Sequence, residues 1–149
     1  IYGVNVIGTY QLTRAAAPAM RETGDAAVVN VSSIAGVTGI GSCIAYAASK
    51  GALNTMTMSL ARVLGPEIRV NAVCPGMIQS RWLQTGMGEE KYNKALEHNE
   101  KTLPLAKVST PDDIAEVILW LIRGSSLVTG ETMLVDGGAH LGFAPTVAR

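Results

Sequence analysis

Tyr46 and Lys50 stand four residues apart in Tyr46-Ala47-Ala48-Ser49-Lys50. On a helix that spacing puts both side chains on one face, about one turn apart. An ammonium beside a phenol favours the phenolate and draws a tyrosine pKa down from about 10 toward working pH. A tyrosine so placed can give a proton to a carbonyl oxygen or take one from an alcohol. Taken alone, the pair also reads as a surface tyrosine and a solvated lysine on an ordinary helix. Ser33 adds weight to the chemical reading. It lies thirteen residues before Tyr46, just past a buried-type strand, in the loop that leads into the same helix. A hydroxyl there can donate to the oxygen that Tyr46 protonates, whereas Ser32 beside it reads as a plain turn serine.

These residues need elements to hold them. Apolar Val4, Ile7, Leu12, Ala15, Ala16 and Met20 recur near helical spacing, which predicts a helix over Val4–Arg21, with Pro18 loosening its last turn and Gly24 ending it. Ala27–Val31 is a short β-branched run of the doubly covered, parallel-sheet type. Ser32–Ser42 reads as a glycine- and serine-rich loop, and Ile44–Leu64 as a long alanine-rich helix. Ile68–Val73 is a second buried-type strand ended by Cys74-Pro75-Gly76. Met77–Leu103 reads as a loop and a short helix. Thr110-Pro111-Asp112-Asp113 opens a helix with an N-cap, a first-position proline and first-turn acids, running to Gly124. Glu131–Val135 is a last strand, expected at a sheet edge, and Ala139–Arg149 has no clear pattern. Strands alternating with helices imply an open α/β sheet with parallel strands, about three strands and four to five helices. Ligands of such sheets bind beyond the carboxyl ends of the strands, so the loops Ser32–Ser42 and Pro75–Met87 should face one crevice.

Composition narrows the function classes. The 149 residues are 48% hydrophobic and 16% charged, which excludes disorder. Twelve basic and twelve acidic residues leave no net charge and no basic field for a nucleic acid. Ala26–Ser49 carries no charge and is long enough to cross a bilayer, but its serines and glycines argue against a lipid-facing helix. The first residues have no basic leader and no starting methionine, so no signal peptide is read. Cys43 and Cys74 form no metal or disulfide pattern and read as small buried thiols in a reducing, cytoplasmic setting. His98 and His140 lack partners at metal spacing and read as solvated or loop histidines. Ser33 is not in a Gly-x-Ser-x-Gly turn, which argues against a serine hydrolase. Trp82, Met87, Tyr92 and Leu96 fit equally a mobile lid over an apolar substrate and the core face of a short helix.

Five segments together resemble the short-chain dehydrogenase/reductase family: Val4-Asn5-Val6-Ile7-Gly8, Val28 to Ser33, Tyr46 to Leu53, Arg69 to Gly76, and Val135-Asp136-Gly137-Gly138. They fall in family order and spacing over nearly the whole chain, and the 3-oxoacyl-carrier-protein-reductase-like members are the nearest in pattern. The resemblance implies a Rossmann-like, doubly wound parallel sheet and an oxidoreductase using NAD or NADP. It implies Tyr46 as catalytic acid/base, Lys50 as the lysine that tunes it and bonds the nicotinamide ribose, Ser33 as the serine that orients the substrate carbonyl, and Asn5 as the holder of a relay water. Pro75, Gly76, Ile78 and Ser80 match the segment that contacts the nicotinamide half of the cofactor, with Ser80 where the family often has threonine. Gly76 would let the backbone approach the ligand.

The family's Thr-Gly-x-x-x-Gly-x-Gly phosphate turn, its cofactor-selecting residue and its Asn-Asn-Ala-Gly strand are not found in these residues. Gly36, Gly39 and Gly41 precede the Tyr-Lys helix rather than a first βαβ helix, and read as shaping the substrate pocket. Residues 1–149 are therefore expected to be the carboxyl-terminal part of a single dinucleotide-binding domain, without its amino-terminal phosphate-binding half. The expected function is hydride exchange between NAD(P) and a small carbonyl or alcohol substrate. The alternative is a non-catalytic fragment or assembly module. No metal, nucleic-acid or membrane partner is expected. The family implies homotetramers or dimers built on the two alanine-rich helices, with Ala52, Met56 and Leu60 near the interface.

Overall fold

A computed structural model describes residues 1–142. β1 (Ala26–Val31), β2 (Ile68–Pro75) and β3 (Thr132–Val135) form one sheet in that order. All pairs are parallel: Ala26 to Val31 face Ile68 to Val73, and Ala72 to Pro75 face Thr132 to Val135. Parallel neighbours require crossovers, and α3 (Ile44–Leu64) and α6 (Pro111–Arg123) supply them. Side chains alternate across β2, so its two faces enter different cores. Ile68 and Val70 pack with Ala17 of α1 (Thr9–Thr23) and with Leu60, Ala61 and Leu64 of α3. Val73 packs with Ile114 and Leu121 of α6. Helices thus cover both faces of the parallel sheet that alternation predicted, the Rossmann-like arrangement that the resemblance implied.

Buried polar groups tie the layers together. Arg69 of β2 donates through Nη1 to Leu121 O at 2.8 Å and through Nη2 to Ile122 O at 2.9 Å, satisfying the carboxyl-terminal carbonyls of α6. Asn71 donates to Val128 O at 2.9 Å and accepts from Glu131 N at 3.0 Å, fixing the approach to β3. Thr110 and Asp113 form a complete capping box at the start of α6, as the residue types predict.

Several expectations are corrected. Gly3–Gly8 is a π-helical turn, not the first turns of an α-helix. The wider turn shifts the phase of Val4 and Ile7 against α1. They and Leu12 are exposed, and α1 buries only Thr13 and Ala17. Ser32–Ser42 contains a short helix, α2 (Ala35–Thr38), and the stretch after β2 contains two, α4 (Arg81–Met87) and α5 (Glu89–Thr102). The described residues thus hold six α-helices rather than four to five. β3 lies at a sheet edge as expected, but so does β1. Leu60 is buried in the core beneath α3, so it does not lie on an open bundle face, while Met56 packs against that core and is half-buried. Ala139–Leu141 is one 3-10 turn, and residues 143–149, part of the unpatterned tail, lie outside the described residues. The uncharged stretch from Ala26 divides into β1, α2 and the start of α3. Among the described residues no helix is long and apolar enough to cross a membrane.

Candidate active site

The chain leaving β1 stays tied to β2. Ser32 N donates to Val73 O at 2.8 Å and Ile34 N to Pro75 O at 3.0 Å. Ser33 Oγ accepts from Ala35 N at 3.1 Å, which leaves its own proton available to donate. Ser32, read as a plain turn serine, is buried and donates to Lys50 O at 3.2 Å. Glycines then press α2 against α3. A Cβ on Gly36 would lie 2.5 Å from the Lys50 carbonyl carbon, and one on Gly41 would lie 3.2 Å from Tyr46 Cδ1. Gly36 and Gly41 are spent on this packing, while Gly39, with φ 75° and nothing within 4 Å of its Cβ position, ends α2 in the left-handed conformation.

α3 carries the central pair. Cys43 caps it: its exposed Sγ, not the buried thiol expected, accepts from Tyr46 N at 3.4 Å. Lys50 Nζ lies 5.7 Å from the Tyr46 ring centre and donates to Val31 O at 2.8 Å. Burial pulls the Lys50 ammonium below its ordinary 10.5, with Cys74 acting the other way. Burial likewise pushes the Cys74 thiol up from 9.0, against hydrogen bonds with Ser32, Ser33 and Asn54 Oδ1, to which the thiol donates, and the charge of Lys50. Asn5 sits on the π turn and donates from Nδ2 to Ser49 Oγ at 3.0 Å, and that hydroxyl donates to Tyr46 O at 2.8 Å. Ser49 is fully buried. No local periodicity points to it, because its partner is distant in sequence.

The opposite wall follows β2. Gly76 N donates to Val135 O at 3.2 Å, and a Cβ there would lie 2.9 Å from Asp136 Cβ. The glycine is therefore required by Asp136, a second reason for it beside the approach to a ligand that the sequence reading gave. Asp136 accepts from Gly138 N at 2.9 Å and His140 N at 2.8 Å, and its Oδ2 lies 2.9 Å from His140 Nδ1. His140 thus has a carboxylate partner and is not simply solvated. Ser80 caps α4, accepting from Leu83 N at 3.2 Å.

Asn5, Ser33, Tyr46 and Lys50 line one cavity of about 980 Å³ together with Pro75, Gly76, Ile78 and Ser80. The loops after β1 and β2 do face one crevice. The four residues left open between lid and core divide. Trp82 and Met87 line the cavity on α4, while Tyr92 is buried and Leu96 half-buried on α5. Hydroxyl and ammonium groups of Ser33, Tyr46 and Lys50 line the cavity, and among the described residues no carboxylate does. That set suits a ribose diol, a carboxamide and a carbonyl oxygen. Among the described residues no group of three or more His, Cys, Asp and Glu could hold a metal.

The family model described as enoyl-(acyl carrier protein) reductase matches residues 1–140. The chain is 47% identical, over 141 residues, to a protein assigned as ketoacyl reductase 2 of the granaticin polyketide synthase of Streptomyces violaceoruber, covering 95% of this chain and 55% of that protein. It is 42% identical, over 134 residues, to the short-chain dehydrogenase/reductase homolog YusR of Bacillus subtilis, covering 90% of this chain and 98% of that protein. The structure of aldohexose dehydrogenase from Thermoplasma acidophilum matches all of this chain and 60% of its own, with TM-score 0.88 and 28% identity. The chain thus spans about half the length of the first relative and nearly all of the second.

Proposed function

The chain belongs to the short-chain dehydrogenase/reductase family, and on that premise we propose that the whole protein interconverts a carbonyl and an alcohol using NAD or NADP. The single observation that carries the reading is that Ser33, Tyr46 and Lys50 line one cavity, with the Lys50 ammonium 5.7 Å from the Tyr46 ring centre. The nicotinamide cofactor, when bound, supplies or accepts the hydride. Tyr46 and Lys50, with Pro75, Gly76, Ile78 and Ser80, would hold its nicotinamide-ribose end.

In the reducing direction the Tyr46 hydroxyl gives its proton to the carbonyl oxygen, and in the oxidising direction it takes the alcohol proton. Ser33 donates to the same oxygen and steadies it as charge develops there. Lys50, cationic and close, stabilises negative charge on the phenol oxygen as the proton leaves. Asn5 holds the water through which that proton is replaced. In this reading residues 1–149 are the carboxyl-terminal part of one dinucleotide-binding domain in a cytoplasmic protein. The exposed apolar side chains of α1 support assembly into a homotetramer or dimer.

Turnover of a ketone panel with NADH and NADPH by the whole protein tests the mechanism. Tyr46→Phe is expected to abolish it, and unchanged turnover would sink the assignment of Tyr46. A second reading, a non-catalytic binding or assembly module, draws on the lack of a pyrophosphate-holding turn among the described residues. Cofactor titration of the 149-residue chain alone separates the two, since tight NAD(P) binding there would refute the second.

A further inference from the structure

Beyond Tyr46 and Ser33 the cavity is walled by Ile40 from the α2–α3 connection, by Met77 and Ile78 after β2, and by Trp82, Leu83 and Met87 of α4. Ile40 and Trp82 are 79% and 82% exposed, so large apolar surfaces stand in water at its mouth. Lys50 is the only charged side chain among the described lining residues, and its ammonium already donates to Val31 O. One lining hydroxyl is also spent as a donor: Ser32 donates to Lys50 O.

Such walls discriminate. A carboxylate, sulfonate or phosphate seated against Ile40, Leu83 and Met87 would lose hydration, and among the described lining residues the one cationic side chain is Lys50, beside Tyr46 and already shared with Val31 O. A polyol would give up water hydrogen bonds against the aliphatic side chains of Ile40, Leu83 and Met87, which replace none of them. An alkyl or aryl group would instead cover Trp82 and Ile40 and remove their surface from water.

We propose that the site takes an uncharged ketone or secondary alcohol whose reacting carbon bears an apolar alkyl or aryl substituent. Trp82, Leu83 and Met87 cover that substituent while Tyr46 and Ser33 hold the oxygen. This rests on the carbonyl/alcohol reading and adds to it the chemistry of what flanks the carbonyl.

The test is calorimetric titration of the whole protein with 4-phenyl-2-butanone, 2-butanone, pyruvate and D-glucose, with and without NAD⁺ or NADP⁺, alongside turnover of the same panel. The aryl ketone is expected to bind about tenfold or more tighter than pyruvate or glucose. In Trp82→Ser, an exposed position at which folding is not at stake, the preference for 4-phenyl-2-butanone over 2-butanone should fall about tenfold. Pyruvate or glucose binding as tightly as the aryl ketone would overturn the proposal, and so would an unchanged preference in Trp82→Ser. In both cases turnover of the panel would leave the oxidoreductase reading standing. Selective binding of the aryl ketone with no turnover of any member would do the reverse, sustaining the apolar site and sinking the oxidoreductase reading.

Discussion

Asn5 Nδ2 donates to Ser49 Oγ at 3.0 Å, joining a π turn at one end of the chain to the helix that carries Tyr46 and Lys50. Ser49 passes the contact on to Tyr46 O at 2.8 Å. Asn5 is thus held against α3 one turn from Tyr46.

Breaking that contact should show in the chemistry more than in binding. Ser49→Ala is expected to lower kcat on the order of tenfold with KM little changed, because it loosens Asn5, the side chain proposed to hold the relay water, and leaves Trp82, Leu83 and Met87 in place. Asn5→Ala combined with Ser49→Ala should cost no more than the larger single change, since both remove one contact. Steady-state kinetics on the four proteins checks this, and additive losses would contradict it.

Glycine positions should separate sharply. Gly36→Ala must push a methyl into the Lys50–Gly51 backbone, where a Cβ has only 2.5 Å. The expected cost is about 1–3 kcal/mol by thermal or urea unfolding, with turnover reduced as the Ser33 segment moves off α3. Gly86 lies in α4 with nothing within 4 Å of its Cβ position. There alanine should be neutral or stabilising by up to about 1 kcal/mol.

Lys50 predicts a rise in stability at alkaline pH. Its folded pKa lies below the ordinary 10.5 because burial disfavours the ammonium. Below the folded value both states carry the proton, and the buried charge costs stability. Between the folded value and 10.5 the unfolded state binds more protons, so stability increases with pH across that window. Lys50→Met should flatten this rise in unfolding curves taken at successive pH values.

The start of α6 should respond to acid. Lys107 and Thr110 hold the Asp113 carboxyl at about 2, below its ordinary 3.8. That stabilisation is complete above 3.8 and is lost as pH falls from there toward about 2. Asp113→Asn should therefore weaken the acid dependence of unfolding. Thr110→Ala removes the cap hydroxyl and should cost about 1 kcal/mol at neutral pH.

Light scattering on the whole protein should give a tetramer or dimer mass at micromolar concentration, and a monomer would defeat the assembly proposal. Leu60→Glu is expected to unfold the protein, not merely dissociate it, because Leu60 sits in the core with Ala17 and Ile68.

Local chemistry is what the sequence by itself determined. Thr110, Pro111 and Asp113 specify a helix start within four residues, and the β-branched runs around Val28 and Val70 specify strands covered on both faces. Tyr46 and Lys50 share a face on any helix, and the family pattern adds Ser33, Asn5 and the segment after β2. None of this needs distant contacts. Tertiary structure alone decided which faces are buried and which glycines are irreplaceable. The apolar periodicity of Val4, Ile7 and Leu12 predicted a helix, but the first two fall on a π turn and all three are exposed. Gly76 answers to Asp136, sixty residues on, and Gly36 to the backbone of Lys50. The contact between Asn5 and Ser49 and the division of Trp82 from Tyr92 are of the same kind. Each depends on how separately specified elements meet, and side-chain volume and hydrogen-bond geometry at that meeting are not encoded in the spacing of either partner.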